Sequence, residues 1–63
     1  MSNWTQYEVW AEVEGHQELV ETTASRKEAL TLAQKVFNEG ADIVKVYEES
    51  NDGTYTEIKT LSS

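Results

Sequence analysis

Acidic side chains are the residues of this chain with the numbers and spacing to do chemistry. Glu8, Glu12 and Glu14 stand two and four positions from Trp10, Glu18 and Glu21 follow, and Glu48, Glu49 and Asp52 cluster later. In a strand the residues of one face recur every second position, about 6.6 Å apart at a rise of ~3.3 Å per residue. Carboxylates in such a row present negative charge at a spacing broadly like that of a phosphate backbone. The chemistry this supports is electrostatic recognition. A protein that holds DNA through Lys and Arg can accept such a row without any base being read.

Proton transfer, nucleophilic attack and metal chemistry lack their partners. Glu48 and Glu49 point to opposite faces of a strand, which is poor geometry for paired acid–base work. Ser25 is taken up in helix capping, with no His–Asp arrangement to activate it. His16 has neither a second His nor a Cys beside which to hold a metal. Asn51-Asp52-Gly53 lacks the ligand spacing and closing glutamate of a calcium loop, and reads as a turn. Arg26, Lys27 and Lys35 are too sparse to make a nucleic-acid patch. The expectation is a protein that is not an enzyme, with no catalytic, cofactor or metal site.

The elements that must position these acids follow from periodicity. Gln6–Glu14 alternates, with Tyr7, Val9, Ala11 and Val13 on one face and Glu8, Trp10, Glu12 and Glu14 on the other, the pattern of a half-buried strand. Gly15-His16 supplies a turn, and Glu18–Thr23 continues as a second strand whose register is open, because Val20 with Thr22 and Leu19 with Thr23 compete for the buried face. Ser25-Arg26-Lys27-Glu28 reads as a capping box, the serine accepting from the third helical amide and the glutamate reaching back to the serine amide. Ala29, Leu30, Leu32, Ala33, Val36 and Phe37 then form one apolar stripe, ending near Glu39 before a left-handed cap at Gly40. Ile43–Glu48 is a strongly apolar strand, Asn51-Asp52-Gly53 a turn, and Thr54–Leu61 a last strand with Ile58 as its core residue.

One helix with one apolar stripe covers one face of a four-stranded sheet. The predicted fold is therefore α+β, a two-layer ββαββ sandwich with a mainly antiparallel sheet and its second face open, as a single domain over residues 1–63. Strand order is not fixed by spacing. If Val44 and Val46 face the helix, Ile43, Lys45, Tyr47 and Glu49 join the acids and Trp10 on the uncovered side. Trp and Tyr are common among binding hot spots, which singles out Trp10 and Tyr47, with Tyr55 weighed beside them.

Charge and composition narrow the partners. Twelve Asp and Glu against five Lys and Arg give a formal net charge of −7 on 63 residues. Such a body repels nucleic acid and anionic membrane and attracts basic protein surfaces. The chain has no Cys, hence no disulfide staple or thiol chemistry, and no apolar run near the roughly 20 residues of a membrane span. Met1-Ser2-Asn3-Trp4 lacks the basic and apolar regions of a signal peptide, so the expected location is the cytoplasm of a bacterial host cell. So small a core without staples leaves a monomer or a weak homodimer as the expected state.

A very small acidic α+β domain with rows of glutamate, of which Tyr7-Glu8-Val9-Trp10-Ala11-Glu12-Val13-Glu14 is the most suggestive stretch, resembles the anti-CRISPR proteins of phages and other mobile elements, among them inhibitors of type I surveillance complexes. The resemblance is one of type and carries no diagnostic position. It implies stoichiometric binding to a Cas subunit that blocks target DNA. On that reading the partner-binding residues are Glu8, Trp10, Glu12, Glu14, Tyr47, Glu48 and Glu49. The alternative is an acidic structural or interaction module that dimerises through its open sheet, aromatics buried between subunits and acids on the rim.

Overall fold

The computed structural model describes residues 3–63. Its elements are β1 (Thr5–Val13), β2 (His16–Thr23), α1 (Arg26–Asn38), β3 (Ile43–Ser50) and β4 (Tyr55–Ser62). They form the ββαββ sandwich read from the sequence: a four-stranded antiparallel sheet with α1 packed against it. The strand order is β2-β1-β3-β4, so the helical crossover from β2 carries the chain past β1 and sets β3 against β1's free edge.

That central pair makes the core. Val9, Val44 and Val46 are fully buried, together with Ala29 and Ala33 of α1 and, nearly so, Tyr7. The two alanines lie one turn apart and present no bulk. The helix axis can therefore approach the β-branched surface of β1 and β3 closely, while Leu30, Val36 and Phe37 wrap the margins.

The helix start departs from the expected reciprocal box. Ser25 caps as predicted, its Oγ accepting from the Glu28 amide at 3.2 Å. The Glu28 carboxylate instead accepts from the Thr23 hydroxyl at 2.9 Å, and Thr23 Oγ1 accepts from the Ser25 amide at 3.2 Å. A threonine relay thus links strand end and helix start. At the other end Gly40 takes φ +117°, the left-handed region that a side chain disfavours, and its amide donates to the Phe37 carbonyl.

The first turn is Glu14-Gly15, one residue earlier than expected. Val13 pairs with His16, and both turn residues have positive φ, +52° and +83°, as a two-residue hairpin of right-handed twist requires. His16 accordingly opens β2. The open register of β2 is resolved by a bulge: Val9 pairs with Glu21 but Trp10 with Leu19, leaving Val20 as the extra residue. Both Leu19 and Val20 stay exposed, so neither competing set claims the core. A second bulge on β4 inserts Ile58, which packs half-buried against the core as expected. Both edge strands of the sheet are thus kinked, which interrupts the ladder a further strand would need.

Core placement carries a stability prediction. Val46→Ala should cost about 1.5–3 kcal/mol in equilibrium urea unfolding, the loss expected for a fully buried valine. Val13→Ala, at a residue 49 % exposed, should lie close to neutral. Equal losses at the two positions would contradict this packing.

Candidate functional site

The face of the sheet away from α1 is built by the register. Glu8, Trp10 and Glu12 of β1 stand opposite Tyr47, Lys45 and Ile43 of β3, and Gln6 opposite Glu49. On β4, Tyr55, Glu57 and Thr60 pair with Glu49, Tyr47 and Lys45. On β2, Leu19 pairs with Trp10 and Gln17 with Glu12. Five of the seven residues singled out in the sequence meet here: Glu8, Trp10, Glu12, Tyr47 and Glu49.

Two do not. Glu14 lies in the hairpin turn, where it leaves the strand alternation and its amide donates to the Asp42 carboxylate at 3.0 Å. Glu48 follows Val44 and Val46 onto the helix side, where it pairs with Tyr7 and accepts from the Tyr7 hydroxyl at 3.0 Å. Burial, then the Glu48 bond, raise the Tyr7 pKa above its ordinary value. Register also places Glu18 and Glu21 with Ala11 and Val9, on the helix side. The acids of the strands are therefore divided between the two faces.

What remains on the open face is a cluster organised by Glu8. Its Oε1 accepts from the Trp10 indole Nε1 at 3.0 Å and from the Tyr55 hydroxyl at 2.6 Å. To reach it, Tyr55 lies across β3 and stacks on Tyr47, ring centroids 4.8 Å apart and planes 13° from parallel. One carboxylate thus orients two rings directly and a third through stacking. The other acids also have partners: Gln6 donates to Glu49 at 2.6 Å and Gln17 to Glu12 at 3.1 Å, while the Lys45 ammonium lies 3.6 Å from Glu57. Three of the four face carboxylates are held by neutral donors, which fix their positions without cancelling their charge.

Between these groups runs a groove of about 210 Å³, lined by Trp10, Glu12, Gln17, Ile43, Lys45, Tyr47 and Tyr55. Gln17, Ile43 and Lys45 line the groove beyond the seven residues singled out, and β4 adds Tyr55 to the groove and Glu57 to the face around it. The signal was there: with Ile58 in the core, strand alternation sends both to the opposite face. Among the described residues no three His, Cys, Asp or Glu side chains converge as metal ligands would, and no helix is long and apolar enough to cross a membrane.

Desolvation of the Tyr55 hydroxyl, followed by its bond to Glu8, pushes its pKa from the ordinary 10.0 up to about 12. The folded state then holds that proton more tightly than the unfolded chain does. Its contribution to stability is present in full below pH 10.0 and is lost as the pH rises through about 12. A tyrosinate absorbance titration, differenced against Tyr55→Phe, should show this late ionisation, and Glu8→Gln should bring it down towards 10.0. A Tyr55 that ionises at the ordinary value in the unaltered protein would refute the Glu8 contact.

The chain matches no family model, no curated protein and no solved structure, so the chemistry of this face is what speaks for its function.

Proposed function

We propose that this chain is a non-enzymatic binding protein whose open sheet face engages a basic protein surface. As the resemblance implies, we take that surface to be the one by which a CRISPR effector holds its target DNA. The observation that carries the reading is the set of carboxylates held in place on a face that no described element covers. Glu8, Glu12, Glu49 and Glu57 stand there against Lys45, a formal −3 among the described residues of the face. Such a patch steers a Lys/Arg-rich surface towards it and opposes an acidic one.

The same charge argues against the face pairing with a second copy of itself, since two like-charged patches would have to be brought together and desolvated. The kinked edge strands likewise favour docking through the face over strand addition. Blocking here is a matter of occupancy. Glutamates occupy the Lys and Arg side chains that would otherwise hold phosphates, and Trp10, Tyr47 and Tyr55 supply the short-range contact that keeps them there. The acids on the helix side, Glu18, Glu21 and Glu48, add to the long-range field without touching the partner.

Association with a purified type I surveillance complex, followed by surface plasmon resonance across ionic strength, tests this. The association rate should fall steeply with added salt, and changing Glu8, Glu12, Glu49 and Glu57 together to Gln should lower it by about tenfold at low salt. Bound protein should exclude target DNA from the complex. Salt-insensitive association, or target DNA bound equally well in its presence, would overturn the proposal.

A further inference from the structure

We propose that the groove on the open face seats one arginine side chain of the basic partner, its guanidinium over the Trp10 ring, beside the Tyr47–Tyr55 stack and against the Glu12 carboxylate. This inference rests on the reading above and makes it specific. Small-molecule pockets occupy roughly 300–1,000 Å³. At about 210 Å³ and open to one side, this groove suits a single extended side chain instead.

Its walls are aromatic and already held. Trp10 is tethered through Nε1 to Glu8, Tyr55 through its hydroxyl to the same oxygen, and Tyr47 by the stack with Tyr55. Little rotamer freedom is therefore left to lose on binding. Ring faces attract cations, and a planar guanidinium stacks on them while its N–H groups point outward in the ring plane. Glu12 stands at the rim with Oε1 engaged by Gln17, leaving acceptor capacity on Oε2 for such an N–H.

The resident cation fits the same logic. Lys45 pairs in register with Trp10 and lines the groove, yet its ammonium is 3.6 Å from Glu57, longer than a tight charge-assisted hydrogen bond. It occupies cationic ground without being locked there. An incoming guanidinium displaces it and is opposed by it, so removing the Lys45 charge should strengthen binding.

The probes are hexa-arginine and hexa-lysine peptides titrated into the full, isotopically labelled chain, with the Trp10 indole N–H resonance as readout and Trp4→Phe to assign it. Hexa-arginine should bind about threefold or more tighter than hexa-lysine and should move the Trp10 signal. Glu12→Gln should weaken hexa-arginine binding by about threefold, and Lys45→Met should raise hexa-arginine affinity by about threefold. Equal affinity for the two peptides, or a Trp10 resonance that stays in place as hexa-arginine binds, overturns the groove assignment while leaving a basic partner for the face. Failure of both peptides to bind overturns the assignment together with the reading on which it rests.

Discussion

Everything on the open face depends on a shortage of cover. A single 13-residue helix with an alanine-centred stripe can bury one side of the β1–β3 pair, where Val9, Val44 and Val46 are fully enclosed, and no other described element lies over the second side. The uncovered face must then satisfy itself in water. It does so by side chains that are apolar in the ring and polar at the tip, and by carboxylates paired with neutral donors. An all-apolar face would invite aggregation, and an all-acidic one would repel its own strands.

Glu8 is the organising residue of that solution. A carboxylate between Trp10 and Tyr55 accepts both of their polar hydrogens. The charge is not cancelled, because neither donor is a cation. This separates the Glu8 cluster from the Lys45–Glu57 pair on the same face, whose opposite charges offset each other at 3.6 Å. Aromatics tethered beside uncancelled carboxylates are the basis of the proposed engagement of a basic partner.

Local signals carried much of this. Alternation in β1 gave the acidic face with Trp10, the Ser25 cap and Gly40 bracketed the helix, and the Val44/Val46 pair identified the buried side of β3. Where the reading failed, a non-local or one-residue effect intervened. Placing the turn at Glu14-Gly15 removed Glu14 from the row, because both central positions of a tight hairpin need positive φ and the strand must stop before them. Glu48 shares parity with Val44 and Val46, so the run Glu48-Glu49 could never lie on one face. Its partner Tyr7, 41 residues away, is what makes a glutamate at the core margin tolerable.

The sequence alone determined the order and type of the elements, the single helical stripe, and hence a sheet left bare on one side. These are properties of near neighbours: spacing along one strand, one turn of helix, one cap. Tertiary structure decided that β3 lies against β1, that bulges fall at Val20 and Ile58, and that Tyr55 reaches Glu8 across 47 residues of chain to close the aromatic cluster. Contacts at that separation exist only once the central strands have paired, and the free energy that selects the pairing comes from burying Val9, Val44 and Val46 together. No segment of the chain encodes that burial by itself.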